Sequence, residues 1–478
     1  MEKLEKNKAD RGRTAVRAIS AAILIAGLAV FGYWCAVSEG VTVKAVAVAM
    51  VALGMFVLAL VIAVPRAVRF FGGVPDPVRD PLGPRSGRRR GFTRALGIIA
   101  AVLLARVAVI ATAYVFGRVF RNVQGSIISM LEDIWLKLDT DAPHYFSIAE
   151  NWYTTEAPQM YELVFPPFFP LLIRALNLVL GDSFTSAMVI NTVCSCASGA
   201  VLWRLAAQDM GRRSSRIAVI FAFALPAAVF FVAPMSEALF FLLSISTLLA
   251  LRKGRFWLAA VLGALACFTR LPGIIMIVPF IAEGVRYAVM KRAEGGRGKA
   301  RVVIKLLLCL LVFCLGSFGY LLINKLIWGD WFKFVEFQRD VWYQQPAFFC
   351  GTAAMQTDQL FLSFGNRADL LGLWLPNLLY IFGALAVLVA SARTLRTSYT
   401  LYFAAYLAIT CGASWLLSAP RYLTALAVLP IALAHLCEGR DDGAALGRAR
   451  AKTAIVTAAL TAGQVCYLLM YVIEYSIY

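Results

Sequence analysis

The side chains best suited to chemistry lie together in residues 139–153, a polar stretch of an otherwise mostly apolar chain. It reads Asp139-Thr-Asp-Ala-Pro-His-Tyr-Phe-Ser-Ile-Ala-Glu-Asn-Trp-Tyr153, with two aspartates, one glutamate, one of the chain's two histidines and four aromatic residues. A carboxylate can take a proton from a hydroxyl group, and it can also hold a cation. The aspartates also suit a turn before Pro143, but the crowding of reactive side chains predicts a catalytic or binding loop.

Five further polar residues stand at or near the ends of apolar segments: Glu237, Arg270, Gln338, Arg421 and Tyr422. Arg270 and Arg421 each lie within two residues of a proline. Taken singly, Arg270 would more often anchor a helix at the membrane surface, and Glu237 could cap a helix. However, ionisable groups at membrane depth are costly and usually functional, and the arginine fork matches phosphate. Together these residues predict a site for an anionic, lipid-like ligand.

The composition indicates the class of protein that carries these residues. The chain has 478 residues, of which 61% are hydrophobic and 15% charged, and its mean hydropathy is +0.75. A soluble protein of this length would expose far more charge, so we predict an all-α polytopic membrane protein. The net charge of +19 would also suit nucleic-acid binding, but Lys and Arg collect in short loops, as in cytoplasmic loops of membrane proteins. We therefore expect no nucleic-acid partner.

The cysteines and histidines argue against a metal or redox centre. The ten cysteines include no Cys-x-x-Cys pair, and the two histidines, His144 and His435, are far apart in sequence. We therefore expect no zinc site, no redox motif and no histidine-based metal cage. Asp141, Glu150 and Glu237 are the alternative, because three carboxylates can bind a divalent ion through oxygen.

Apolar runs of membrane-spanning length divide the rest of the chain. We predict about thirteen spans, at residues 15–37, 42–64, 95–119, 185–206, 217–232, 237–251, 256–268, 273–287, 302–327, 371–392, 399–417, 422–436 and 453–473. Residues 1–94 read as a two-span extension with a basic loop, 95–437 as the transmembrane core, and 438–478 as a basic loop with a final span.

The loop at 119–184 carries the candidate stretch and two predicted interfacial helices, 127–138 and 171–180. Apolar residues recur at helical spacing in the first, and the second is apolar but too short to span. Between them, Phe165-Pro-Pro-Phe-Phe-Pro170 is predicted to be non-helical, because proline lacks the backbone N–H and clashes with the preceding turn.

The distribution of basic residues predicts the orientation. With the N-terminus in the cytoplasm, every cluster of Lys and Arg in the loops falls on the cytoplasmic side. The same count places residues 139–170, 233–237, 270–272, 328–366 and 418–421 on the other side. We therefore predict a multi-pass protein of the cell membrane, or of the ER membrane in a eukaryote, with an extracytoplasmic site.

Six stretches, in order, resemble the second GPI mannosyltransferase and its prokaryotic relatives, which are GT-C class glycosyltransferases. The first, from Asp141 to Tyr153, is similar to the pattern Trp-Asp-x-x-His-Tyr-x-x-Ile-Ala followed by Gly-Tyr. The others are Phe168-Phe-Pro-Leu171, Ser236-Glu-Ala-Leu-Phe240, Thr269-Arg-Leu-Pro-Gly273, Gly329-Asp-Trp-Phe-Lys-Phe334 with Gln338 and Trp342, and Ser418-Ala-Pro-Arg-Tyr422. Thr140 and Trp152 depart from the pattern, where the family has Trp and Gly.

The resemblance implies a GT-C fold and a reaction. A hexose, mannose by family, would move with inversion from a polyprenyl-phosphate sugar to an extracytoplasmic lipid or glycan acceptor, with no metal and no cofactor besides the lipid-linked donor. The implied catalytic base is Asp141, and the implied substrate-binding residues are His144, Tyr145, Glu150, Glu237, Arg270, Gln338, Arg421 and Tyr422.

Several alternatives stay open at this stage. Asp139 competes with Asp141 as the base, because it lies only two residues away. A lipid or lipid-linked sugar flippase would also need arginines near a lipid phosphate, although it would place charges at mid-bilayer and often show an internal repeat. A non-catalytic membrane subunit would leave the acidic loop unexplained, and another GT-C activity would differ in its acceptor.

Overall fold

The computed structural model describes residues 2–38, 42–74, 88–122, 125–136, 140–293, 299–438 and 443–473, together with residues 475 and 477. Within these residues the protein is helical, with no strand beyond one isolated bridge between Pro346 and Ala413. Asp139, the alternative base, lies outside the described residues.

Twenty α-helices follow one another along the described chain. Their bounds are α1 Glu2–Val37, α2 Val43–Phe71, α3 Arg88–Phe120, α4 Ile127–Trp135, α5 Ala142–Asn151, α6 Phe168–Leu180, α7 Ser183–Ala206, α8 Arg212–Ala224, α9 Glu237–Arg252, α10 Phe256–Thr269, α11 Ile277–Ala293, α12 Lys299–Trp328, α13 Lys333–Asp340, α14 Phe349–Leu362, α15 Arg367–Asp369, α16 Leu375–Ser391, α17 Thr397–Thr410, α18 Ala419–Thr424, α19 Leu429–Leu436 and α20 Gly443–Val472.

Eight helical stretches of the described chain are long and apolar enough to cross a membrane, which identifies a multi-pass membrane protein. They are formed by α1, α2, α3, α7, α11 with the 3₁₀ turn before it, α12, α15 with α16, and α20. The other five predicted spans coincide with shorter helices, α8, α9, α10, α17 and α19, which have 8 to 16 residues.

Prolines and glycines explain how the short helices fit together. Helix α8 stops before Pro226, which opens a 3₁₀ turn over Pro226–Phe231, because proline disfavours helix at the preceding residue. Gly273 follows the end of α10, and a Cβ there would lie 2.4 Å from the backbone of Ala266. The absence of a side chain therefore lets the Arg270 loop fold back against α10.

A helix forms in each of the two segments predicted as interfacial helices. Helix α4 ends at Trp135, and it buries Met130, Ile134 and Trp135 within the protein; residues 137–139 lie outside the described chain. Helix α6 begins at Phe168, so the prediction for the proline-rich run was wrong for 168–170. Pro170 is tolerated because the N–H groups of the first helical turn have no partner within the helix.

Candidate functional site

Asp141 is positioned by the start of α5. It is the residue before the helix, Pro143 lies in the first turn, and the Asp141 carboxylate makes no capping bond to the backbone. The carboxylate is instead bound by Arg421, which donates from Nη2 to Oδ2 of Asp141. The Asp141 side chain is 26% exposed, whereas Arg421 is 4% exposed. The ion pair therefore joins a partly open carboxylate to a buried cation.

Glu237, the first residue of α9, holds both predicted arginines. Its Oε1 accepts from Nε of Arg421 and from Nη1 of Arg270. The Glu237 side chain is only 1% exposed, and it is not among the residues that line the cavity described below. Glu237 was predicted to contact substrate, but the structure places it behind the two arginines. We call Asp141, Glu237, Arg270 and Arg421 the pocket cluster.

The two arginines retain donors that the described residues do not use. Arg421 employs Nε and Nη2, so its Nη1 has no hydrogen-bond partner in the described part of the chain. Arg270 uses Nη1 for Glu237 and for Ser236 Oγ, at 3.0 Å, and its Nε and Nη2 have no such partner there. A guanidinium with spare N–H groups is the usual ligand of a phosphate.

Tyr145 and Tyr422 pack around the arginines. The Tyr145 hydroxyl lies 2.8 Å from Ser236 Oγ, and Arg270 lies over the Tyr422 ring at 5.5 Å from its centre. Burial, with the charge of Asp141 nearby, raises the pKa of Tyr145 above its usual 10.0. Tyr145 therefore stays protonated and serves as a hydrogen-bonding group rather than a base.

A cavity of about 320 Å³ opens in front of the pocket cluster. Of the predicted residues, it is lined by Asp141, Tyr145, Arg270, Gln338, Arg421 and Tyr422, and the remaining lining includes Phe165, Trp342, Gln344 and Trp415. The lining thus combines two cations and one carboxylate with amides and aromatic rings. Aromatic faces beside hydrogen-bonding groups suit a sugar ring, which has apolar faces and a polar edge.

Besides Glu237, two further predicted residues are not in the lining. His144 stacks on Phe165 with ring centres 4.9 Å apart, and its Nδ1 lies 3.4 Å from Glu162 Oε1. It therefore supports the wall of the cavity. Glu150 lies at the far end of α5, where it accepts from Ser183 Oγ at 2.6 Å. The structure does not bring Glu150 to the cavity.

The electrostatic balance keeps Asp141 ionised. Burial acts to raise the pKa of Asp141, but the charge and the hydrogen bond of Arg421 outweigh it, so this pKa falls below its usual 3.8. Arg270 and His144 act in the same direction. Within the described residues, no group of three or more His, Cys, Asp or Glu side chains is arranged to hold a metal ion.

Sequence reasoning missed several residues of the site. Ser236 joins Tyr145 to Arg270, and its signal was its place directly before Glu237. Trp415 lines the cavity, although the sequence placed it inside the predicted span 399–417. Gln344 accepts a hydrogen bond from Gln338 at 2.7 Å, and no sequence pattern singled it out.

The fold and the cavity define a class of protein: a multi-pass membrane protein in which a carboxylate and two arginines meet beside a pocket of mixed polarity. Comparison with known proteins narrows this class. Residues 165–318 match the family described as dolichyl-phosphate-mannose-protein mannosyltransferase. This stretch includes Glu237 and Arg270, and it contains neither Asp141 nor Arg421.

The chain is also similar to curated proteins named GPI alpha-1,6-mannosyltransferase 2. The chain is 31% identical over 168 residues to that of Rattus norvegicus, covering 32% of this chain and 33% of the rat protein. It is 32% identical over 151 residues to that of Homo sapiens, covering 29% of each chain. The chain thus matches about a third of the length of these relatives. No solved structure matches it. The resemblance to the second GPI mannosyltransferase is confirmed over this part.

Proposed function

We propose that the protein is a membrane-embedded inverting glycosyltransferase that moves a hexose, mannose by its similarity, from a polyprenyl-phosphate sugar to a lipid or glycan acceptor. The observation that carries the proposal is the bridging position of Arg421. It binds both Asp141 and Glu237 and lines a cavity that also receives Arg270. A base and a phosphate-binding pair therefore stand side by side.

In the proposed reaction, Asp141 takes the proton of the acceptor hydroxyl, and the acceptor oxygen forms a bond to the anomeric carbon. The bond from that carbon to the phosphate oxygen breaks, and its electron pair leaves with the polyprenyl phosphate. Arg270 and Arg421 stabilise the negative charge that collects on the phosphate. No general acid is needed, because a phosphate is already a good leaving group. A single displacement inverts the anomeric carbon.

The pairing of Asp141 with Arg421 also suggests an order of binding. Arg421 is anchored to Glu237 through Nε, so Nη2 and Nη1 can turn to a phosphate while the arginine stays in place. A donor phosphate that takes over Nη2 would release the Asp141 carboxylate for the acceptor. Donor binding before acceptor binding is therefore part of the proposal.

An apolar cavity of about 510 Å³ supports a lipid-linked donor. It is lined by residues of α16, α19 and α20, among them Gly383, Leu433 and Tyr467. The Tyr380 hydroxyl in its wall lies 3.2 Å from Thr424 Oγ1, on the same helix as Arg421. A prenyl chain held there would have its phosphate near α18.

Filling this cavity tests its role. A Cβ on Gly383 would meet nothing within 4 Å, so Gly383→Leu fills space without forcing the helix apart. We expect its KM for a long-chain donor to rise about tenfold, with little change for a donor of two or three isoprene units. Gly97→Leu on α3, also free of contacts within 4 Å, is the matched control. Equal KM values for both variants would remove the cavity from the proposal.

The central test offers the purified protein radiolabelled polyprenyl-phosphate hexoses together with membranes of the native host. We expect transfer by the wild type, no detectable transfer by Asp141→Asn, and normal insertion and folding of that variant. Asp139→Asn should retain activity. An active Asp141→Asn protein would overturn the assignment of the base, and transfer from nucleotide sugars alone would overturn the donor. Movement of the lipid across liposomes without product would favour the flippase.

The proposed orientation places the pocket outside the cytoplasm. Residues from four of the five loops predicted to face outward, those at 139–170, 270–272, 328–366 and 418–421, line this one cavity, and Glu237 of the fifth lies behind it. Reporter fusions near residues 343 and 252 should report opposite sides of the membrane.

A further inference from the structure

Arg106 is a buried cation in the middle of α3, and the proposed reaction does not use it. It lies within the membrane-spanning stretch Gly91–Phe120 and is 4% exposed. It forms no ion pair with any described residue. Charged groups inside a membrane span are costly to bury and usually have a function.

The partners of Arg106 are all uncharged oxygen atoms. Nη1 donates to Ser195 Oγ at 3.0 Å and to the carbonyl oxygen of Phe231, and Nη2 donates to Thr192 Oγ1 at 3.0 Å. Phe231 ends the 3₁₀ turn that begins at Pro226. The last carbonyls of a helical turn lack partners and carry partial negative charge. Arg106 therefore satisfies a backbone group that the break in the helix exposes.

Asn191 acts on the same segment from α7. Its Nδ2 donates to the carbonyl oxygens of Ala233 and Met235, the latter at 2.9 Å. Ser195 Oγ of α7 also donates to the Phe231 carbonyl, at 3.1 Å. The carbonyls of residues 231, 233 and 235 are thus bound by three side chains from neighbouring helices. Backbone groups at membrane depth must find partners within the protein. The break between α8 and α9 is held in one conformation by Arg106 and Asn191.

This segment carries the residues that hold the pocket cluster together. It ends in Ser236 and Glu237, which bind Arg270 and Arg421. It also contains Phe230, whose ring lies under Arg421 at 5.5 Å from its centre. A shift of the segment would therefore move both arginines relative to Asp141.

We propose that Arg106 is a positioning residue for the anion-binding arginines. It acts through residues 231–237, of which Glu237 binds both arginines. This inference rests on the proposed function only in taking Arg270 and Arg421 as the phosphate site. Arg106 does not touch the substrate, and it determines whether the two guanidinium groups face the phosphate together.

The test measures binding of farnesyl phosphate to purified protein in detergent, alongside the thermal unfolding midpoint. We expect Arg106→Gln to weaken binding at least tenfold and Arg106→Lys to recover most of the loss. Arg396→Gln is the matched control. Arg396 is 6% exposed and bonds to Glu283 and not to the pocket cluster. The Arg396→Gln variant should have a lower unfolding midpoint, and its folded protein should bind farnesyl phosphate with unchanged affinity.

A double variant separates positioning from general destabilisation. Residues that act through one another show non-additive effects although they do not touch. We expect Arg106→Gln to weaken binding less than twofold further in a Glu237→Gln background. If Arg106→Gln does not fold, Asn191→Ala releases two of the three carbonyls and should weaken binding in the same direction, by three- to tenfold.

The outcomes are distinguishable. Wild-type affinity in folded Arg106→Gln, or in Asn191→Ala where only that variant folds, would overturn the inference and leave the proposed function intact. The inference would also be overturned if the fold-losses in farnesyl phosphate affinity of the two single variants multiply in the double variant. A wild-type protein that does not bind farnesyl phosphate would overturn the phosphate site itself, and the inference with it.

Discussion

The pocket cluster and a second arginine–carboxylate cluster lie near opposite ends of α9. They differ in how many of their hydrogen-bond donors and acceptors have a partner. The second, which we call the closed cluster, consists of Glu283, Arg396 and Ser398. Arg396 binds both carboxylate oxygens of Glu283, through Nε at 2.6 Å and Nη2 at 2.8 Å, and Ser398 donates to Oε1 at 2.5 Å. Both carboxylate oxygens of Glu283 thus accept hydrogen bonds.

The distance between the clusters follows from the length of α9. Glu237 begins this helix and Arg252, whose charge acts on Glu283, ends it. At 1.5 Å per residue the two ends are ~22 Å apart. In the pocket cluster, by contrast, Arg421 divides its donors between two carboxylates, and Glu237 Oε2 is buried without a hydrogen bond. A saturated pair stabilises a fold, whereas a pair with unused donors beside a cavity can bind a ligand.

After the loss of Asp141, the largest expected effect on activity is the loss of Arg421. Arg421→Gln removes the charge that binds Asp141 and would stabilise the departing phosphate, so we expect activity to fall by roughly 10²–10³-fold. Single-turnover transfer from a saturating donor measures this loss. Arg421→Lys keeps the charge but cannot bind Glu237 and a phosphate together, and it should recover only part. Full activity of Arg421→Gln would contradict the distinction between the clusters.

The closed cluster should affect stability and not chemistry. Arg396→Gln leaves Glu283 buried without its partner, which costs about 3–5 kcal/mol. Replacing both residues, as Glu283→Leu with Arg396→Met, should restore most of this stability because a well-packed apolar pair avoids the desolvation of two charges. Thermal unfolding measures the first effect, and unchanged kcat and KM of the double variant are the control. Lost activity at normal stability would show that this cluster, too, is functional.

The pH dependence should distinguish free enzyme from donor complex. Arg421 lowers the pKa of Asp141 below 3.8, so the carboxylate is charged at neutral pH. It loses this charge only as the pH falls through the lowered pKa. If the donor phosphate draws Arg421 away, the opposing effect of burial raises this pKa. The acid limb of kcat should therefore lie at higher pH than that of kcat/KM.

The lowered pKa of Asp141 also predicts how the stability of the protein depends on pH. The ion pair of Asp141 with Arg421 contributes above the usual pKa of 3.8 and is lost below the lowered pKa. The difference in unfolding midpoint between wild type and Asp141→Asn should thus be the same at pH 5 and pH 8. A difference that changes between these values would place the folded pKa of Asp141 higher than its contacts indicate.

The smallest effect is expected at Glu150. Its carboxylate lies away from the cavity and accepts from Ser183, so Glu150→Gln should change activity less than twofold. Gln338→Ala, which removes a hydrogen-bonding group from the cavity wall, should instead raise KM about tenfold. A strong loss in Glu150→Gln would restore Glu150 to the site.

Much of the site could be predicted from residue types and spacing, but the roles within it could not. Asp141, Arg270 and Arg421 were predicted as a base and two phosphate ligands, and the structure brings them together. Glu150 follows Asp141 by nine residues, about two and a half helical turns, which places the two on opposite faces. Glu237 looks like a substrate ligand in sequence, and only its burial behind two arginines reveals that it holds them.

The number of spans shows a similar division. Long apolar runs predict spans directly, and the eight longest helical stretches agree with them. Helices such as α10 and α19 are apolar but short. Their length alone does not tell a span from a helix packed inside the bundle, because both hide apolar side chains from water.

The sequence by itself determined the class of protein, because hydropathy over spans of about twenty residues depends on no distant contact. It also determined which residue types can do chemistry and that they stand at the ends of helices. The pairing of Asp141 with Arg421, 280 residues apart, was decided only by the tertiary structure. The same is true of the hydrogen bond from Arg106 to the carbonyl oxygen of Phe231, 125 residues away. Such partners are chosen by the packing of whole helices, and no local pattern records that packing.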